Sequence, residues 1–287
     1  MVEMKKMMVC LDRSDWDAHV IRYASMMAGL VNCSHVVFSH AAKANLDSSL
    51  KKELEEKVAD EFTNSCAQEV IIVEGTNASD VLGWPEISTV DLIVMGIKPK
   101  SISSGQHAAK VIHGSLCSTL LVPVNSKNEI SKILLPMDFT NNSLRSLKLV
   151  QGLKEESNIE IVAQHVYFVP RGYSSTGKTY HEFAAIMEQN KKKEYEQFKK
   201  KNGIVENGYK IIFSLDEDRR PSDKIYALAK EVNVDFLVLG STAKSKAASL
   251  LLFSTSIGLL KYDEDVPCLI VKDKNESMGF FDALLKI

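Results

Sequence analysis

The sequence predicts an α/β protein made of two doubly wound domains, each on a five-stranded parallel sheet. Three observations carry that expectation: the chain repeats itself in order, its strand-like segments are unbroken apolar runs, and segments of helical periodicity alternate with them. "MMVCLDRS" (7–14) matches "LLPMDFT" (134–140), "VVFSH" (36–40) matches "IVAQH" (161–165), and "VDLIVMG" (90–96) matches "VDFLVLG" (234–240). "EVIIVEGTNASDVL" (69–82) matches "YKIIFSLDEDRRPSDKI" (209–225), and "TLLVPV" (119–124) matches "CLIVK" (268–272). The offset is about 126 residues early and about 144 later, so the second copy carries a longer stretch around 166–205.

Each half therefore reads β-α-β-α-β-α-β-α-β. Val/Ile/Leu-rich runs without polar alternation suit parallel strands covered on both faces. Ser14 and Asp17 have the spacing of a capping box, and Trp16, Val20, Tyr23, Met27 and Leu30 follow at helical spacing. Ser79 and Ser222 are expected as N-caps of the third helix of each half. The polar residues 125–131 link two domains, 1–125 and 132–273, and leave a tail, 274–287, whose "GFFDALLKI" is expected to dock on its own domain or on a partner. Right-handed crossovers make each half Rossmann-like, with ligands expected beyond the carboxyl ends of the first and fourth strands. That location holds Asp12 with Gly96 and Asp138 with Gly240.

Composition narrows the function. The chain has 287 residues, 45% hydrophobic and 25% charged, with a net charge of −2, which argues against nucleic-acid or anionic-membrane binding. The apolar run after Lys5 and Lys6 is too short for a signal-peptide core, and no run approaches the roughly 18 apolar residues of a membrane span. The five cysteines, Cys10, Cys33, Cys66, Cys117 and Cys268, are odd in number and lack a C-x-x-C pair, as expected of buried thiols in a reducing cytoplasm.

These landmarks resemble the universal stress protein family, as a tandem of two modules covering nearly the whole chain. The residues that carry the resemblance are Asp12 and Asp138, His40 and His165, the runs 91–96 and 235–240, and the last strand of each half. The resemblance implies strand order 3-2-1-4-5. It also implies pairing through the fifth strands, here internally as 120–124 against 268–272, which makes the chain a pseudo-dimer. Some members bind ATP, with the first-strand Asp near the adenosine and the pattern G-x2-G-x9-G-[ST] around the phosphates. Both copies depart from it. The first gives Gly96, Pro99 and Gly105-Gln106 over a shortened loop; the second gives Gly240, Ala243, Phe253, Ser254 and Thr255. The proline lacks an N–H, and side chains in place of glycine hinder the close backbone approach that a phosphate nest requires. The candidate site residues are thus Asp12, Gly96, Gly105, Asp138, Gly240, Ala243, Ser254 and Thr255. ATP or another adenine nucleotide is the candidate ligand, with Lys244 and Lys246 favouring the second half.

The expected role is a stress-associated, non-catalytic adaptor or sensor that acts through a protein partner, with association of two chains open. Two alternatives stand: a nucleotide-binding switch using the second half, and a P-loop NTPase. The second rests on "GYSSTGKT" (172–179), which fits G-x-x-x-x-G-K-[ST], with Asp216 as the later acid. Against it, Pro170 and Arg171 separate the motif from its strand, and the first copy has no counterpart. His40 and His165 either line a pocket or bond loop backbone. Asp12 and Asp138 either orient a ligand or cap the following helix. His107 and His113 are six apart, which does not suit a helical metal pair. The lysine-rich stretch 191–201, interleaved with Glu194 and Glu196, reads as an amphipathic helix, expected as a lid or projection over the second half.

Overall fold

The computed structural model describes residues 4–43, 48–98, 102–156, 158–205, 208–240 and 265–274. The first half contributes β1 (Lys6–Leu11), α1 (Asp17–Leu30), β2 (His35–Ala42), α2 (Ser48–Glu61), β3 (Ala67–Glu74), β4 (Leu92–Ile97), α3 (Ile102–Gly114) and β5 (Ser118–Pro123). The second contributes β6 (Lys132–Pro136), α4 (Asn141–Glu156), β7 (Glu160–Tyr167), α5 (Tyr180–Asn202), β8 (Tyr209–Leu215), α6 (Pro221–Glu231), β9 (Phe236–Gly240) and β10 (Cys268–Val271).

The order β3-β2-β1-β4-β5-β10-β9-β6-β7-β8 gives 3-2-1-4-5 in both halves, with each half parallel throughout. The two sheets are not merely apposed. β5 and β10 pair antiparallel, Leu121 opposite Cys268 and Thr119 opposite Ile270, and fuse them into one ten-stranded sheet. The internal fifth-strand pairing is thus present as expected.

The apolar runs explain the layering. Alternate residues of β1 go to opposite faces: Met7, Val9 and Leu11 join one core layer, Met8 and Cys10 the other. The first layer lies under α1, α2, α4 and α5 and includes both Val122 of β5 and Leu269 of β10, so it crosses the junction without a break. The second lies under α3 and α6 and includes Leu121 and Ile270. Cys10, Cys33, Cys117 and Cys268 are buried, and none of the five cysteines is in a disulfide.

Local expectations needed correction. The third helix of the first half is replaced by two short 3-10 turns, Ala78–Gly83 and Ile87–Thr89, because Pro85 follows Gly83 and Trp84 and cannot continue a helix. Asn77, not Ser79, caps the first turn: its side chain accepts from the Ser79 N–H at 3.1 Å. Ser222 is likewise not the cap of α6; Pro221 opens that helix and Arg220 precedes it without a side-chain cap. The lysine-rich helix is no lid. α5 buries Ala184, Tyr195 and Phe198 and serves as the crossover between β7 and β8, with Tyr195 Oη 2.7 Å from Tyr209 Oη. No described helix is long and apolar enough to cross a membrane. Ala243, Ser254, Thr255, Pro99, Lys244, Lys246, Phe253 and the tail beyond Lys274 lie outside the described residues.

If the antiparallel junction is a core element, Leu269→Ala in its fully buried centre lowers unfolding stability by about 2–5 kcal/mol. Urea denaturation of the full chain checks this; an unchanged midpoint means the two sheets do not share one core.

Candidate functional site

Because β1 neighbours β4, Asp12 and Gly96 meet at one cleft of about 260 Å³. Ser14, Asp17, Thr76, Asn77, Lys98 and His107 add to its polar lining. Gly105 lies within α3, two residues before His107, rather than in an open loop. In the second half, Asp138 and Gly240 meet at the equivalent place, a pocket of about 90 Å³. Of these two clefts the first is the larger; Lys244 and Lys246, on which the expectation for the second half rests, lie outside the described residues.

The turn after the first strand is built alike in both halves. Arg13 and Phe139 take left-handed backbone, φ 60° and 61°, which side chains other than glycine rarely adopt. The preceding acid folds over this turn: Asp12 Oδ1 accepts from the Ser14 N–H at 3.1 Å, and Asp138 Oδ1 from the Thr140 N–H at 3.2 Å. Five residues beyond each acid a second group closes the turn. Ser143 Oγ accepts from the Asp138 N–H at 2.8 Å and donates to Asp138 Oδ1 at 2.5 Å. Its counterpart is Asp17, which does not form the expected box with Ser14. Its carboxylate instead accepts from the N–H groups of Asp12 and Arg13 at 3.1 and 2.9 Å.

Two acids at one turn need compensation. Lys98, two residues past Gly96, places Nζ 2.7 Å from Asp12 Oδ2. Burial acts to raise the Asp12 pKa, but the Lys98 and Ser14 hydrogen bonds outweigh it and hold the carboxyl below its ordinary value. Asp17 goes the other way: burial lifts it to about 6, the Asp12 N–H bond resists, and the Asp12 charge adds to the rise. Lys98, Asp17 and Ser143 were absent from the sequence-derived candidates. Ser143 and Asp17 were findable, since the repeat aligns them at one offset from the acid.

The two glycines have a packing role of their own. A Cβ on Gly240 would meet the Asn142 backbone carbon and oxygen at 3.0 Å, and one on Gly96 would meet Val20 Cγ2 at 2.9 Å. Each glycine lets the first helix of its half approach the fourth strand. The two histidines bond backbone: His40 Nδ1 is 2.8 Å from the Leu11 carbonyl and His165 Nδ1 is 2.8 Å from the Met137 carbonyl.

The stretch 172–179 does not form a phosphate cradle. Arg171–Thr176 is an exposed 3-10 turn whose amides turn inward, Tyr173 N–H to the Pro170 carbonyl and Gly177 N–H to that of Ser174. Thr179 is the N-cap of α5, and its hydroxyl donates to Glu182 at 2.8 Å. The motif's residues are therefore spent on starting a helix.

The model of the Universal stress protein family matches residues 129–272. Among curated proteins, universal stress protein MJ0577 of Methanocaldococcus jannaschii is 26% identical over 163 residues, covering 50% of this chain and 96% of its own length. Among solved structures, a functionally unknown protein from Pseudomonas aeruginosa PAO1 superposes with a TM-score of 0.69 at 12% identity, over 100% of this chain and 99% of that one. A universal stress protein from Archaeoglobus fulgidus DSM 4304 superposes with a TM-score of 0.63 at 15% identity, over 94% of this chain and 97% of that one. Both share the fold across nearly the full chain, tandem included.

Two outcomes are expected from the site's geometry. Gly240→Ala destabilises by about 1–3 kcal/mol because its obstacle is backbone. Gly96→Ala costs less, since the Val20 side chain can turn aside; equal melting shifts for the two variants would contradict this. Asp17, with a folded pKa of about 6 against an ordinary 3.8, favours folding fully below about pH 3.8 and loses that contribution as pH rises through 6. The stability of the wild type relative to Asp17→Asn should therefore fall from pH 4 to pH 6 in urea titrations. A constant difference would refute the assignment.

Proposed function

This chain belongs to the universal stress protein family, and on that premise we propose that it acts as a stress-associated, non-catalytic adaptor or sensor that works through a protein partner. One observation carries the reading: both first-strand acids are held by the protein's own groups, Asp12 by Lys98 and Ser14, Asp138 by Thr140 and Ser143. A ribose arriving at Asp12 must first displace Lys98. That pair is 40% and 49% exposed, so the exchange costs a ligand about tenfold in affinity at most. Space weighs more. Clefts of about 260 and 90 Å³ fall below the roughly 300–1,000 Å³ of ordinary small-molecule sites. Sequence adds the lost glycines, and each missing amide bond to a charged phosphate weakens binding by about 1.5–3 kcal/mol.

The second reading, an adenine-nucleotide switch, draws support from Lys98 and His107, which line the first-half cleft. The sequence favours the second half for such a switch through Lys244 and Lys246, which lie outside the described residues. Calorimetry with magnesium and ATP separates the two. The adaptor reading expects affinity no tighter than about 1 mM and no nucleotide carried through purification. Binding at about 1–50 μM, the span of ordinary ligands, would replace it with the switch. ATP hydrolysis that disappears in Lys178→Ala would instead revive the 172–179 stretch as an active site.

A further inference from the structure

The fifth strands are spent on each other inside one chain, so among the described residues the sheet ends at β3 and β8. An edge strand offers a row of N–H and C=O groups to any strand that lies beside it, and proteins commonly block it with charge or a covering element. The two edges are treated unlike. β3 carries exposed Glu69 and Glu74 towards its ends, and the 3-10 turn Ala78–Gly83 packs against it. β8, Tyr209–Leu215, reads YKIIFSL, and Lys210 is its one charge.

The ladder defines the open side of β8. The Asp216 N–H donates to the Tyr167 carbonyl at 2.7 Å, so Asp216 faces β7. Alternation turns the backbone of Ser214 and Ile212 the same way, and that of Ile211, Phe213 and Leu215 outward. The side chains are unfinished on both faces of the sheet. Residues 211–215 are all half-buried, with Ile211 and Phe213 at the margin of one core layer and Ile212 at the margin of the other. Val205, shortly before the strand, is 74% exposed.

Charge says which strand fits. The approach to β8 is basic: Lys200 and Lys201 lie in the last turn of α5, Lys210 is near the strand's start, and all three are exposed. Its exit is acidic, with Glu217 and Asp218 exposed. Arg219 and Arg220 are turned away, the first over the Phe168 ring and the second towards Asp223. A parallel copy of this strand sets like charges side by side, which is unfavourable; an antiparallel copy sets lysines against carboxylates at both ends. β3 lacks this complementarity, since an antiparallel copy of it brings Glu69 and Glu74 together.

We propose that β8 is a self-association edge, through which two copies of the chain join antiparallel about a two-fold axis at Ile212. Pairing over the full strand sets Ile211 opposite Phe213 of the second copy in a hydrogen-bonded pair, and Ile212 opposite its own copy in a non-hydrogen-bonded one. Both core layers then continue across the axis. No residue of β8 lines either cleft, so the inference goes beyond the adaptor reading and does not depend on it.

Sedimentation of the full chain and cysteine cross-linking test the proposal together. The mass should double as concentration rises. A monomer up to about 1 mM, the weak limit of specific association, overturns it, whether solvent or the chain's own residues cover the edge. Facing Cα atoms of a non-hydrogen-bonded pair are about 4.5 Å apart, within disulfide reach. Ile212→Cys should therefore cross-link to its own copy in air, at that residue by peptide mass spectrometry. Lys210→Cys, opposite Ser214 of the second copy, should not. A dimer in which Ile212→Cys fails to cross-link, or in which Lys210→Cys cross-links as well, has another interface or register and overturns the proposal. Lys210→Glu, at an exposed side chain, should weaken association at least about tenfold by facing the acidic exit of the second copy. Unchanged association in that variant also overturns the proposal. If Ile212→Cys fails to fold, the wild-type mass and Lys210→Glu decide.

Discussion

The molecule depends on a short antiparallel ladder between β5 and β10. Three paired positions, from Leu121–Cys268 to Thr119–Ile270, turn two five-stranded sheets into one and let both core layers run through without a seam. Side chains just beyond β10 reinforce it. The Lys272 N–H donates to Ser118 Oγ at 3.2 Å, and its ammonium group donates to the carbonyls of Ile112 and Ser115 at the end of α3, where a helix dipole favours a cation. Lys274 pairs with Asp91 at 3.0 Å beneath β4. Since strands are parallel within a half and opposed between halves, the two clefts open at opposite rims of the sheet.

Within each half a single turn positions the site. The left-handed residue after the first-strand acid is strained, and its surroundings hold it. Arg13 reaches Glu53 on α2 at 3.1 Å, whereas Phe139 stacks on His165 with ring centroids 4.3 Å apart, close to Tyr195 and Phe198. One half secures its turn by charge and the other by aromatic packing. The same contrast separates Asp17 from Ser143, and it accounts for Lys98 being needed on one side, where two carboxylates share a turn.

The architecture was legible because it rests on features that survive in one dimension. Apolar runs of fixed order, repeated, specify ten strands, and the Asp-x-Ser/Thr repeat marked both turns. The local errors have a common cause. Ser79 and Ser222 had the chemistry of caps, yet Asn77 won one position through its geometry and Pro221 opened the other helix. Ser14 and Asp17 had the right spacing, yet Asp17 turned back to the strand end, where two amides lacked acceptors. Lys98 left no mark in the sequence because its importance comes from a tertiary neighbour, Asp12 across the sheet. The octapeptide 172–179 shows the converse, a full motif match whose backbone serves a helix start.

Covalent fusion also lifts a constraint that symmetry imposes. In a pair of identical subunits every substitution arrives twice, so neither pocket can change without its twin. Here Asp17 and Ser143 occupy matching places under a single genetic address each. One rim can therefore change its chemistry while the other keeps its own.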